Sequence, residues 1–361
     1  MKKLLSILSL SFLALTVTAC GETGGPAASA AGDGIQIGMI PSFGGVDDGS
    51  FSQGAWEAIT AFGAANNMAG NYFIPAEFTD AGQMSAIELA RAAGSEIIFA
   101  PGFTFEAAVY QAQALFPELS FVLIDAVPSP PGGDSYIASN TVAITYAEEE
   151  AGFLAGYAIV MEGHRSLGFI GGMPIPPVSR FGHGFVTGAE YAARSLGLAP
   201  GEVTVMYNYV MTFGPDPHVQ TTAAAWFNSG VEVIFSAAGG AGGAVMAAAE
   251  AQGGLVIGVD IDQSDDSDTV IVSAIKGVNT SVYAMLEDFV AGQFPGGQHL
   301  VFGAANHGIG LTMETARFQN FTQAQYEAIF ERLANGEIVV IVDLAAGIDA
   351  IDLQIVDITI I

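Results

Sequence analysis

One order of features occurs twice in this chain, and that duplication limits the folds open to it more than any other property. The stretch IQIGMIPSFGGVDDGSFSQGAWEAITAFGAA at 35–65 reads as a buried strand, a Gly/Pro loop, a Phe and then an amphipathic helix. SLGFIGGMPIPPVSRFGHGFVTGAEYAARSLG at 166–197 repeats that order. Downstream, SEIIFAPGFTFEAAVYQAQALFPELSFVLIDA gives strand, Gly turn, helix and a second strand that stops at Asp125. Its counterpart, VEVIFSAAGGAGGAVMAAAEAQGGLVIGVDID, brings the second strand to a stop at Asp260. The two aspartates are therefore pseudo-equivalent.

Runs such as IIFA, FVLID, VIFSA and LVIGVD are apolar on both sides, which suits parallel sheets covered by helices on both faces. Strand and helix alternate, so each half is predicted to be a doubly wound α/β lobe with right-handed crossovers. At 361 residues, 51% of them hydrophobic, the chain can fill two such cores. The helix at 146–164 is expected to close the first lobe, with crossings near Gly163, in the polar run 262–268 and near 295–303. These crossings assign 35–163 plus 269–298 to the N-terminal lobe and 164–268 plus 299–361 to the C-terminal lobe.

Ahead of the repeat, Lys2 and Lys3 precede the uncharged run 4–19, which is laid out as a secretory signal and is short for a membrane span. It ends at Cys20, the only cysteine. Thioether lipidation there is the expected use of the thiol, an ordinary cleaved signal with an incidental cysteine being the alternative. Residues 20–34 are small and polar, as in a flexible tether. The resulting expectation is a membrane-anchored protein on the extracytoplasmic face, touching the membrane through its lipid only. A net charge of -28 would repel phosphate backbones, so no nucleic-acid partner is expected.

Enzyme signatures are missing. His164, His183, His218, His299 and His307 show no zinc-site spacing, and no GxSxG elbow is present. The Gly239–Gly243 turn follows a strand but lacks both GxGxxG and the P-loop pattern, which favours a ligand-facing loop or close helix packing. DIDQSDDSD is dense in oxygen donors yet lacks the glycine and closing glutamate of an EF-hand. Binding without turnover, with no metal or cofactor, is the expectation.

In an open parallel sheet the ligand lies beyond the carboxyl ends of the strands. Asp48, Phe51, Phe103, Asp125, Phe181 and Asp260 all fall at or just after such ends. Phe51 and Phe181 hold matching places in the repeat and can stack on a flat heterocycle, or else serve as ordinary core residues. Asp125 and Asp260 can accept hydrogen bonds from vicinal hydroxyls or a base edge, or else cap helices. Lys276 follows a buried strand and can point a cation into the cleft, or else lie on the surface.

Several segments together resemble the basic membrane protein family of lipoproteins, the ABC-transporter substrate-binding proteins that include bacterial purine nucleoside receptors. They are DDGSFSQGAWE (47–57), EEAGFLAGYAI (149–159), GFIGGMPIPPVSRFGHGFVTGA (168–189), VIFSAAGGAGGAV (233–245), VIGVDIDQ (256–263) and SAIKGV (273–278). The resemblance implies a type I periplasmic-binding-protein fold with three crossovers. It also implies a base held by Phe51, Phe181 and Asp125, and ribose hydroxyls held by Asp260, Lys276 and the backbone near Gly240, with Asp48 lining the cleft. The implied partners are a nucleoside, most simply a purine one, and an ABC permease with its ATPase, served by a monomer. The chain departs from the family at Gly49, often Lys, and Ser52, often Asn. A surface sensor for a signalling partner is the alternative from a different class, and a nucleoside hydrolase a weaker one.

Overall fold

The computed structural model describes residues 35–43 and 45–361. The expected signal, Cys20 and the tether at 20–34 lie outside the described residues.

The first half runs β1 (Gln36–Met39), α1 (Phe51–Asn66), β2 (Ala69–Tyr72), α2 (Asp80–Ala92), β3 (Ile97–Pro101), α3 (Glu106–Leu115), β4 (Ser120–Ile124) and β5 (Thr141–Tyr146). After α4 (Glu148–Glu162) the same order returns: β6 (Ser166–Gly171), α5 (Pro176–Leu196), β7 (Val203–Tyr209), α6 (Pro217–Asn228), β8 (Val233–Ala237), α7 (Gly242–Gln252), β9 (Leu255–Asp260) and β10 (Val270–Lys276). The chain finishes with α8 (Val278–Val290), β11 (His299–Phe302), β12 (Ile309–Leu311), α9 (Gln323–Ala334) and β13 (Val356–Ile360). One sheet has the order β11-β5-β4-β3-β1-β2 and the other β12-β10-β9-β8-β6-β7-β13. All their pairings are parallel except that of β12 with β10. The duplicated α/β lobes read from the sequence are thus present, strand for strand.

Alternate residues of a strand face opposite sides of its sheet, and here both sides are dry. Ile97 and Phe99 of β3 join Ala55, Ile59 and Phe62 of α1 in one cluster. Ile98 and Ala100 join Ile87 and Ala90 of α2 and Ala108 and Val109 of α3 in another. Local signals fix the helix ends. The Thr79 side chain accepts from Gly82 N–H to start α2, and Asp216 followed by Pro217 starts α6. At the far ends of α5 and α7 the chain turns at Gly197 (φ +68°) and Gly253 (φ +74°), left-handed positions that a side chain would strain.

The lobe boundaries read from the sequence need correction. Helix α4 belongs to the second lobe, because it packs along α5 and against β10 and β12. The polar run 262–268 is not a crossing, since it joins β9 to β10, parallel neighbours in one sheet. The chain passes between sheets at Ala147, at Gly277 and at 303–308, so β10 lies in the second sheet and β11 in the first. Only the third crossing lies close to its expected place. The passages are tied together, Ala147 N–H donating to Phe302 O (2.9 Å) and Gly277 N–H to Gly308 O (2.8 Å).

Candidate functional site

The carboxyl ends of both sheets open onto one cleft whose walls come from both lobes. From the first lobe it is lined by Asp48 and Phe51 after β1, Gly102 and Phe103 after β3, and Asp125 after β4. From the second come Val178 and Phe181 of α5, Gly239 and Gly240 after β8, and Asp260 and Lys276 at the ends of β9 and β10. All seven residues read from the sequence as ligand contacts therefore share one cavity wall. Phe213 after β7, Ile175 and Ser42 also line it and escaped the sequence reading. The strand-end rule applied to β7 finds Phe213.

Asp125 and Asp260 adopt the same unusual backbone, with φ +70° and +68°. Left-handed geometry is uncommon outside glycine and is tolerated where surrounding structure over-determines it. Neither caps a helix, since the next helices begin at Glu148 and Val278. Asp125 instead meets Lys276, whose Nζ donates to Oδ2 at 2.5 Å. Its other oxygen, Oδ1, is buried with no hydrogen-bond partner among the described residues. Asp260 accepts from Ser50 Oγ at 2.5 Å, a bond that crosses between lobes.

Lys276 is 2% exposed, which rules out the surface alternative. Its ammonium lies 3.0 Å from Glu148 Oε1, 4.8 Å from the centre of the Phe51 ring and 5.0 Å from that of Tyr146. Glu148 is equally buried and also meets Arg180 (3.3 Å); nothing in the acidic run 148–150 marks it out from its neighbours in sequence. Burial alone would lower the Lys276 pKa, but the carboxylates of Asp125, Glu148 and Asp260 outweigh it and hold the amine protonated. Burial pushes the Asp125 carboxyl upward against the pull of Lys276. It raises Asp260 too, with Lys276 and Ser50 opposing.

Asp48 is the one site residue with a plain structural duty. Its carboxylate accepts backbone N–H donors from Ser50, Ser52 and Gln53, each at 3.0 Å, and so caps the start of α1. Burial still pushes its pKa up against those three donors. Gly239 (φ +55°) and Gly240 form the turn before α7 and line the cleft, as a ligand-facing loop should. Phe181 lies edge-on to Phe235, ring centres 5.7 Å apart, so it is both core and cavity wall. In the acidic run 262–268, Asp262 accepts from Ser264 N–H and from Thr315 Oγ1.

Comparison with known proteins agrees with this architecture. At 23% identity, a solute-binding protein of an ABC transporter system from Aeropyrum pernix K1 shares the fold, with a TM-score of 0.74 over 86% of this chain and 94% of that one. A second such protein, from Conexibacter woesei, gives 0.69 at 21% identity over 86% and 99%. The ABC transporter nucleoside-binding protein BmpA of Lactococcus lactis is 30% identical over 78% of this chain and 82% of its own length. Basic membrane protein D of Borreliella burgdorferi is 29% identical over 78% and 80%. The profile described as Bmp, ABC transporter substrate-binding protein PnrA-like, matches residues 35–343, which takes in both lobes and every wall of the cleft. With two doubly wound lobes sharing one cleft, the chain belongs to the Bmp family of PnrA-like ABC transporter substrate-binding proteins.

Proposed function

We propose that this protein captures a nucleoside, with purine nucleosides preferred, and delivers it without turnover to an ABC permease and its ATPase. The observation that carries the reading is the buried Asp125 Oδ1, without a hydrogen-bond partner among the described residues, on the wall of an aromatic cleft to which the opposite lobe contributes Asp260. Phe51, Phe103, Phe181 and Phe213 supply flat apolar faces for a base. Asp125 then accepts from the base edge, while Asp260, Lys276 and the backbone at Gly240 hold the ribose hydroxyls. Three carboxyl groups, Asp48, Asp125 and Asp260, line the cleft together with the ammonium of Lys276. That excess of acceptors suits a neutral ligand rich in N–H and O–H donors and disfavours an anion.

The nucleoside-binding name of the Lactococcus relative supports the same substrate class. Attachment through a lipid on Cys20, at the extracytoplasmic face, completes the proposal and suits a receptor that must stay near its permease. Calorimetric titration with inosine, guanosine, adenosine and cytidine tests the substrate class. Saturable heat with the purine nucleosides, and no free base after prolonged incubation, is expected. Silence with all four overturns the nucleoside reading.

A further inference from the structure

Among the described residues, three side-chain polar contacts cross between the lobes. Two of them, Lys276 with Asp125 and Ser50 with Asp260, use residues proposed to hold ligand. The third is made by Gln263, which is not among the residues lining the main cleft and lines with Gly49 an adjoining crevice that shares Asp48, Gly239 and Gly240 with it.

Gln263 is 4% exposed and is fixed to its own lobe at two points. Its Oε1 accepts from Val259 N–H (2.8 Å), and its backbone N–H donates to Ser273 Oγ (3.0 Å). So anchored, it directs Nε2 across the gap to donate to the carbonyl of Gly49 (2.7 Å). The receiving loop is equally fixed. Gly49 turns with φ +66°, its N–H donates to Gln53 Oε1 (3.0 Å), and the Asp48 carboxylate ties down the N–H groups of Ser50, Ser52 and Gln53. Separation of the lobes would break the bond from Nε2 to Gly49 and leave both anchors of Gln263 intact.

We propose that Gln263 is a positioning residue: an interlobe latch that stabilises the closed state and carries the loop with Asp48, Ser50 and Phe51 onto the ligand. It does so without touching the ligand. A residue that acts only on closure changes apparent affinity through the fraction of molecules closed, and it acts whether or not ligand is present. The inference rests on the two-lobed cleft and not on the identity of the ligand.

The test uses Gln263→Glu, which keeps side-chain length and the acceptor for Val259 N–H but removes the donor to Gly49. Gln263→Met is the second variant, should the first fail to fold. Spin labels at Glu88→Cys on α2 and Thr221→Cys on α6, in a Cys20→Ser background, report the interlobe distance in ligand-free protein. The expected result is a distribution shifted to longer distances. Inosine should then bind roughly 3- to 10-fold more weakly, through faster dissociation, as for loss of one neutral hydrogen bond. A distance distribution unchanged from the parent in the folded variants overturns the latch, whatever happens to affinity. Failure of the parent to bind inosine, guanosine, adenosine and cytidine alike overturns the nucleoside reading and leaves the distance measurement decisive for the latch.

Discussion

Lys276 shows what a single buried cation does when carboxylates outnumber it. With the ammonium 2.5 Å from Asp125 and 3.0 Å from Glu148, Lys276→Met leaves Asp125 buried without its cation and Glu148 with Arg180 alone. That should destabilise the protein by about 3–5 kcal/mol in urea unfolding, as for breaking a buried pair from one side. Asp260→Ala should cost roughly 1.5–3 kcal/mol of nucleoside affinity by calorimetry, the value of hydrogen bonds to a charged acceptor. Unchanged affinity would place the ribose elsewhere. Glu149 gives a pH prediction. Burial lifts its carboxyl to about 7, with Glu148 adding to the rise and Arg180 opposing it. The folded chain therefore holds this proton more tightly than the unfolded chain, whose carboxyl titrates near the ordinary 4.5. Its stabilising contribution is complete below that value and is lost as pH climbs through 7. Melting temperatures from pH 5 to 8 should consequently fall more for the parent than for Glu149→Gln, by a few degrees.

Between elements, the tightest approach is that of α4 to α5. Gly152 and Gly156 of α4 face the backbone of Phe181 and Phe185, while Gly184 and Gly188 of α5 face that of Glu149 and Phe153. A methyl group at Gly156 would run into the carbonyl of Phe185, a rigid neighbour. Gly156→Ala should therefore destabilise by about 1–3 kcal/mol, the usual cost of overpacking a filled interface. Gly243, in the first turn of α7, has open space where its methyl would go. Gly243→Ala should be neutral or stabilising by up to ~1 kcal/mol, since alanine is the better helix former. Chemical denaturation of the two variants side by side separates packing from propensity. Apolar glycine-rich runs at 149–159 and 168–189 are plain in the sequence, but which of their glycines meet another backbone is a property of the pair of helices.

For the molecule as a whole, ligand that binds only between closed lobes adds its binding energy to folding stability. Inosine at 100 times its dissociation constant should stabilise the protein by about 2.7 kcal/mol, read as a rise in melting temperature. At the same concentration the rise should be smaller for cytidine, since purines are the preferred ligands in the proposal. The three crossings at Ala147, Gly277 and 303–308, tied by backbone hydrogen bonds, make a compact pivot for such closure.

The doubled strand-helix order, the two strand-end aspartates and the aromatic residues beside them were all legible in the sequence. Each depends on local periodicity and on the rule that ligands gather at strand ends. Sheet membership was not legible. β10 is as apolar as any first-lobe strand, and only its pairing with β9 shows which sheet it completes. Nor was the division of labour among carboxylates. Asp48 and Asp260 both line the cavity, yet the carboxylate of the first is taken up by backbone N–H groups at the start of α1 while that of the second accepts from the Ser50 hydroxyl. Glu148 and Gln263 gain their roles from partners 128 and 214 residues away, Lys276 and Gly49. Local sequence determines which segments become strands and helices, because that follows from neighbours along the chain. Which charge meets which, and which loop a side chain reaches across to hold, is decided when the two lobes come together.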